Sequence, residues 1–171
     1  MTYNTTAGLT GPSKIIIFVF VSLIMTGCRE DIICEDVASV FLGAGFYSMD
    51  QNGQQSQVAI DSLTIYGAGK WPEKITDNAI AVSRIELPLN PGQDTTMIIV
   101  AFPGEIKDSL LVVYNRNLNL VNVECGFSMF FDMISISHTS LFIDSILVVN
   151  DQITNLRDEH IKIFVPAAPD P

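Results

Sequence analysis

Short runs in which apolar and polar residues alternate make up most of the chain beyond residue 37. An alternation of period two places every second side chain on the same face of a strand, and Gly, Pro, Asn and Asp separate the runs. We predict strands over Val40–Tyr47, Val58–Tyr66, Arg84–Leu89, Thr95–Phe102, Asp108–Tyr114, Asn119–Cys125, Ser140–Val149 and His160–Val165. The pattern favours an all-β fold, an antiparallel β-sandwich of immunoglobulin-like or related Greek-key topology.

Turn residues indicate how some of these strands are joined. Asn52-Gly53 is a strong signal for a tight hairpin. Asn115-Arg116-Asn117 predicts a second hairpin, between the strands Asp108–Tyr114 and Asn119–Cys125. The segment Phe127–Ile136 fits either a further strand or a short helix.

An apolar run of another kind, Ile15–Met25, follows the single positive charge of Lys14 near the start of the chain. A helix that crosses a bilayer needs roughly 20 apolar residues, and this run is shorter. Its length falls in the range of roughly 7–15 residues that is typical of a signal-peptide core. We therefore predict a signal peptide over residues 1–27, with a short helix in it.

The motif Met25-Thr26-Gly27-Cys28 resembles the lipobox of bacterial lipoproteins, with Met in place of the usual Leu. This resemblance implies cleavage before Cys28 and acylation of that cysteine. Two or more acyl chains give stable membrane attachment. We predict a lipidated tether over 28–33, a single β-sandwich domain over 34–165 and a disordered tail over 166–171. The alternative is a plain secretory signal, with Cys28 paired in a disulfide.

The run Arg29-Glu30-Asp31 is similar to the export signal of surface lipoproteins in Bacteroidota-type bacteria. A charged, solvated spacer is the alternative interpretation. We expect the protein at the outer membrane of the cell envelope, on its periplasmic or its surface face.

The formal net charge of the chain is −10, and its nine Lys and Arg residues form no cluster. An acidic surface repels phosphate backbones, so nucleic acid is excluded as a partner.

Three cysteines are present, and an even pair remains if Cys28 is lipidated. We predict a Cys34–Cys125 disulfide, because disulfides form in the oxidising compartment to which the leader would send the protein. Two separate buried thiols are the alternative. Period-two geometry would place Val121, Val123 and Cys125 on one face, pointing inward. No CxxC motif or histidine pair accompanies the cysteines, so we predict no metal site and no cofactor.

Motifs for catalysis are missing from the sequence. It contains no nucleophile elbow, HExxH, phosphate-binding glycine loop or EF-hand spacing. The two histidines, His138 and His160, are far apart, and we expect His160 to be exposed at the start of the last strand. Acidic turn residues such as Asp77 and Asp94 are expected to be solvated. We predict no catalytic residue.

Trp71, the only tryptophan, lies in Lys70-Trp71-Pro72, within the irregular stretch 67–83. A large aromatic side chain in a loop can anchor a protein partner or stack on a sugar. It can equally fold down as a lid on the core, and this packing is the interpretation that we favour.

Six short segments, taken together, resemble an uncharacterised lipoprotein domain family of Bacteroidota. They are Cys34-Glu35, Thr64-Ile65-Tyr66-Gly67, Leu87-Pro88-Leu89-Asn90, Glu124-Cys125-Gly126-Phe127, Ile143-Asp144-Ser145-Ile146 and His160-Ile161-Lys162-Ile163. The resemblance implies a location and a fold class and transfers no catalytic residue. We expect a non-catalytic binding or structural module anchored to the membrane through Cys28, with an outer-membrane protein or a glycan as partner. The alternatives are a small envelope hydrolase and an accessory subunit of an outer-membrane complex.

Overall fold

The structure, a computed structural model, describes Cys34 and residues 39–166. The predicted signal peptide, the lipidation site Cys28, the tether and the tail beyond residue 166 lie outside the described residues. Within the described part, strands account for nearly all of the regular structure, together with a 3₁₀ turn at Pro103–Glu105. The strands are β1 (Phe41–Met49), β2 (Gln55–Gln57), β3 (Leu63–Gly67), β4 (Thr76–Ala79), β5 (Arg84–Pro88), β6 (Thr95–Ala101), β7 (Lys107–Asn122), β8 (Gly126–His138), β9 (Ser145–Val148), β10 (Gln152–Ile153) and β11 (Ile161–Phe164).

Two sheets face each other, which confirms the predicted β-sandwich. The first sheet has the order β2-β1-β11-β9, and β5 also pairs with β1. The second has the order β10-β8-β7-β6-β3-β4. Neighbouring strands are antiparallel apart from β1 and β11, which run parallel, with Ala44 opposite Ile161. The finer expectation of an immunoglobulin-like or related Greek-key topology stays a prediction.

The core lies between the sheets and follows the period-two pattern of the strands. On β7 the side chains of Asp108, Leu110, Val112 and Tyr114 are buried, and the residues between them are only partly covered. The Tyr114 hydroxyl is satisfied, since it donates to the Asn90 carbonyl oxygen at 3.0 Å. A polar group is therefore buried here without losing its hydrogen bonds.

The Asn52-Gly53 hairpin is confirmed. Gly53 takes a positive φ of 79°, which glycine adopts without steric cost. The Asp50 carboxylate accepts hydrogen bonds from the N–H groups of Asn52 at 2.9 Å and Gln54 at 2.7 Å. The turn joins β1 to β2, with Met49 opposite Gln55.

The predicted hairpin at 115–117 is wrong, because β7 continues through these residues. Asn115 and Asn117 lie opposite Asp132 and Phe130 in the β7–β8 ladder. The segment Phe127–Ile136 is therefore a strand and not a helix.

The turn between β7 and β8 lies at residues 123–125 instead. Gly126 has a positive φ of 74° there, and the Cys125 N–H donates to the Asn122 side-chain oxygen. Val123 is 92% exposed. The expected inward face of Val121, Val123 and Cys125 is thus also wrong, since Cys125 occupies a turn and lies only half-buried.

Candidate functional site

Trp71 lies between β3 and β4 and is 61% exposed, so the expected packing onto the core is wrong. Its ring packs against the Tyr66 ring in a T-shaped arrangement, with centroids 5.1 Å apart and planes at 69°. Tyr66 alternates with the buried Leu63 and Ile65 on β3 and therefore faces away from the core. The tryptophan consequently packs on the outer face of the second sheet.

Lysines add positive charge beside this aromatic pair. The Lys74 Nζ lies 5.1 Å from the Trp71 ring centroid, within cation–π distance. The same ammonium is 2.6 Å from the Asp77 carboxylate. Lys107 lines the same depression, which has a volume of about 310 Å³. We refer to Tyr66, Trp71, Lys74 and Lys107 as the Trp71 surface.

Polar groups surround the Trp71 surface. The Ser62 hydroxyl donates to the Asn78 side-chain oxygen at 2.6 Å, and the Asn78 N–H donates to the Thr64 hydroxyl at 3.0 Å. A second, larger depression of about 770 Å³ is lined by Lys74, Met97 and Leu111, among other residues. Flat aromatic rings beside hydrogen-bonding groups can stack on a sugar ring or on a peptide side chain.

His160 is buried in the core, and the expectation that it is exposed is wrong. It precedes β11, which lies between β1 and β9 in the first sheet. The His160 N–H donates to the Gly43 carbonyl oxygen at 2.8 Å, and the His160 carbonyl accepts from Val149 at 2.8 Å. The residue thus extends the pairing of a central strand on both sides.

The imidazole of His160 is held by the same glycine. Its Nδ1 accepts a hydrogen bond from the Gly43 N–H at 2.9 Å, so the neutral ring carries its proton on Nε2. Burial lowers the pKa of His160, and the Asp158 charge and the Gln152 backbone offset this only in part. Nε2 makes no hydrogen bond of ordinary geometry. A neutral, buried ring of this kind has no access to a substrate in solution.

The other histidine does not form a catalytic pair either. His138 ends β8, and its Nδ1 lies 2.9 Å from the Thr139 carbonyl oxygen. Within residues 39–166 neither histidine makes a hydrogen bond to a carboxylate. The arrangement required for a histidine–carboxylate general base is therefore not formed by the described side chains.

Asp108 is a buried carboxylate that sequence reasoning missed. Its Oδ1 accepts from the Thr139 hydroxyl at 2.6 Å and from the Leu141 N–H at 2.9 Å. Its Oδ2 accepts from the N–H groups of Phe142 at 2.7 Å and Ile143 at 2.9 Å. Burial alone would raise the pKa of Asp108, but these four hydrogen bonds outweigh it and the pKa is lowered. Because every lone pair has a donor, this carboxylate holds the loop from 139 to 143 in place.

A partly covered polar cluster lies on the outer face of the first sheet. The Tyr47 hydroxyl donates to Glu159 Oε2 at 3.0 Å, and Lys162 Nζ lies 4.6 Å from the Tyr47 ring centroid. Partial burial and the bond to Glu159 raise the pKa of Tyr47. These groups satisfy one another, so we assign the cluster to the packing of β1 against β11.

The disulfide between Cys34 and Cys125 is present, with Cα atoms 5.2 Å apart. It joins the start of the described chain to the turn between β7 and β8. Exposed apolar side chains surround that turn, including Leu118, Leu120, Val123 and Phe127. Sequence reasoning missed this surface because it placed a hairpin turn at 115–117.

Two further features concern metals and membranes. No group of three or more His, Cys, Asp and Glu side chains among the described residues is arranged to hold a metal ion. Asp77 and Asp94, from the acidic turns, pair instead with Lys74 and Arg116. Over the described part of the chain, no helix has the length and apolar character needed to span a bilayer.

These features define a disulfide-bonded β-sandwich with an exposed aromatic surface. The chain belongs to a family of unknown function, DUF6452, whose profile matches residues 62–165. The match covers more than half of the chain and runs from the residue before β3 to the residue after β11. No curated protein and no solved structure matches the chain. The resemblance to an uncharacterised family is confirmed, and its Bacteroidota and lipoprotein character stays a prediction.

Proposed function

We propose that the protein is a lipid-anchored lipoprotein of the outer membrane that serves as a non-catalytic binding or structural module. The leader Ile15–Met25 and the motif that ends in Cys28 support the anchor. The Cys34–Cys125 disulfide supports an oxidising compartment outside the cytoplasm.

The observation that carries the binding role is the exposure of Trp71. A tryptophan that is 61% exposed leaves a large apolar area in water. Aromatic residues are enriched where proteins recognise partners, and Lys74 and Lys107 supply the neighbouring hydrogen-bond donors. An outer-membrane protein or an envelope glycan is the partner that we propose for the Trp71 surface.

The alternative of an envelope hydrolase has less support. A hydrolase that uses a histidine as general base requires that histidine beside a carboxylate in a pocket, and His160 instead binds the Gly43 backbone in the core. The other alternative, an accessory subunit of a membrane complex, shares the Trp71 surface with our proposal. It predicts in addition that the isolated protein does not stay folded without its partner.

The anchor is tested by mass spectrometry of the protein made in a bacterium that processes lipoproteins. We expect a mature chain that begins at Cys28 and carries acyl chains, since lipoprotein processing cuts before that residue. Cys28→Ala should abolish acylation, whereas Cys34→Ser should not. An unmodified Cys28 with residues 1–27 still attached would contradict the proposal.

The binding role is tested with a photo-crosslinking amino acid placed at Trp71 in living cells. We expect a specific protein or glycan adduct that is missing when the same group replaces Ile80. Ile80 is 77% exposed and lies beyond β4, so it makes a matched surface control. Identical adduct patterns at the two positions would contradict a role for the Trp71 surface. A purified, acylated monomer that stays folded by circular dichroism would exclude the obligate-subunit alternative.

A further inference from the structure

The distal part of the β7–β8 hairpin, residues 118–129, projects beyond the sandwich; we name it the hairpin tip. β6 begins at Thr95, opposite Val113, and β10 pairs with β8 only as far as Phe131. Beyond these points the two strands pair only with each other among the described residues. With β7 about 50 Å long at roughly 3.4 Å per residue, the tip lies far from the opposite end of the sheet.

One face of the hairpin tip is apolar. Leu118 lies opposite Met129, and Leu120 lies opposite Phe127. Residues directly opposite in an antiparallel pair share a face, as do residues two apart on one strand. Leu118 and Phe127 are each 64% exposed, and Val123 in the adjoining turn is also exposed. A contiguous apolar area of this kind indicates a contact surface.

The disulfide places this surface close to the proposed anchor. Cys34 is bonded to Cys125 within the tip. Cys28 is six residues before Cys34, and an extended chain spans at most roughly 3.3–3.6 Å per residue. An acylated Cys28 therefore lies within about 20 Å of Cys34, so the disulfide holds the tip close to the bilayer.

The charge pattern favours lipid as the occupant. The chain has a net charge of −10, yet Glu124 is the only charged residue from 118 to 129. An apolar projection with a single charge can enter the boundary between headgroups and acyl chains, where it buries apolar area and the charged group can stay among the headgroups. Deeper insertion is unfavourable, because the outer edges of a two-stranded hairpin carry backbone groups that have no hydrogen-bond partner in the hydrocarbon core.

We propose that the hairpin tip is a second membrane contact, which inserts Leu118, Leu120, Val123 and Phe127 into the surface layer of the bilayer beside the acyl anchor. This inference rests on the proposed lipoprotein function and specifies it further. The sandwich would then stand on the membrane with the tip downward. The opposite end, where Ile80 lies, would point away from the lipid.

The test uses the mature acylated protein in phosphatidylcholine vesicles that contain brominated lipid, which quenches tryptophan on contact. Two variants share the substitution Trp71→Phe, so that each has one tryptophan. The first adds Val123→Trp in the exposed turn, and the matched control adds Ile80→Trp. We expect at least roughly twofold stronger quenching at position 123 than at position 80, with a blue-shifted emission only at 123, because only the tip reaches the acyl chains.

Vesicle flotation separates the two claims. Flotation of both variants with equal, weak quenching at 123 and 80 would overturn the tip contact and leave the anchor standing. Absence of flotation would overturn the anchor, and the tip contact with it. A blue shift at 123 without quenching would show that protein covers the tip, either a second copy or the chain's own residues, and would also overturn the inference.

Discussion

The Nδ1 atom of His160 accepts a hydrogen bond from the backbone N–H of Gly43, across 117 residues of sequence. Both groups are buried, so neither can turn to water if the other is lost. Gly43 has no side chain, and a Cβ there would clash with the Asp158 carbonyl oxygen. The close packing at this point in the first sheet therefore requires a glycine at position 43, and the Gly43 N–H requires the acceptor that His160 supplies.

Substitution of His160 is expected to destabilise the fold. His160→Ala leaves the Gly43 N–H without a partner and opens a cavity, and we expect a loss of about 2–4 kcal/mol in the free energy of unfolding. His160→Asn offers Oδ1 as an acceptor in place of Nδ1 and should lose less. Urea unfolding of the two variants checks this. Equal losses would show that the hydrogen bond contributes nothing.

Acidification should also destabilise the protein through His160. Its pKa is lowered in the folded state, so between that value and about 6.5 the unfolded chain binds more protons. Stability is then complete above about pH 6.5 and falls as the pH drops from there towards the folded-state pKa. Thermal midpoints measured at pH 7.5 and pH 5.5 test this. His160→Asn should flatten that part of the profile, and an unchanged slope would assign the effect to other groups.

Asp108→Asn should destabilise the loop from 139 to 143. An amide NH₂ in place of one carboxylate oxygen would face two donors, for example the N–H groups of Phe142 and Ile143. We expect a loss of about 2–4 kcal/mol, since buried donors are left unsatisfied. Asp94→Asn is the control, because the exposed pair with Arg116 should contribute less than about 1 kcal/mol. Similar losses for the two variants would contradict the role given to Asp108.

Loss of the disulfide should lower stability by up to about 4 kcal/mol, since the bridge closes the loop over residues 35–124. The double variant Cys34→Ser/Cys125→Ser should unfold at lower urea concentration than the oxidised protein. Reductant should bring the unmodified protein to the same midpoint and leave the double variant unchanged. A midpoint of the unmodified protein that is insensitive to reductant would contradict this prediction.

Trp71→Ala is expected to lower the free energy of unfolding by only about 1 kcal/mol, because the side chain loses little more than its contact with Tyr66. Trp71→Phe should keep most of that contact. Urea unfolding checks both variants. A loss above about 3 kcal/mol at Trp71→Ala would show that the tryptophan is needed for folding and is not available for a partner.

Local signals were sufficient for part of the fold. Asn52-Gly53 predicts its hairpin because the turn is specified by residues within it, and the alternation in Thr95–Phe102 predicts β6. The Cys34–Cys125 pair follows from the count of three cysteines once Cys28 is predicted to be lipidated. Each of these inferences depends on chemistry within a few residues or on whether the number of cysteines left for pairing is even.

Long-range packing decided the features that the sequence did not reveal. Asn115 and Asn117 are typical turn residues, but their β8 partners Asp132 and Phe130 keep them in a strand. His160 directly precedes β11, and the sequence alone does not show that β1 and β9 flank this strand on both sides. Trp71 packs on Tyr66, and the face of β3 that holds Tyr66 becomes known only once the second sheet is assembled.

The parallel pairing of β1 with β11 also bears on the order of events during synthesis. The first strand of the sandwich, β1, pairs with a strand far from it in sequence, since Ala44 lies opposite Ile161 and Tyr47 lies opposite Phe164. In a ribosome-bound fragment that lacks this segment, the edge of β1 that pairs with β11 has no partner. Most residues of β1 are buried in the folded protein. The first sheet can therefore be completed only after Ile161–Phe164 has been synthesised, and until then this edge of β1 is open to non-native pairing.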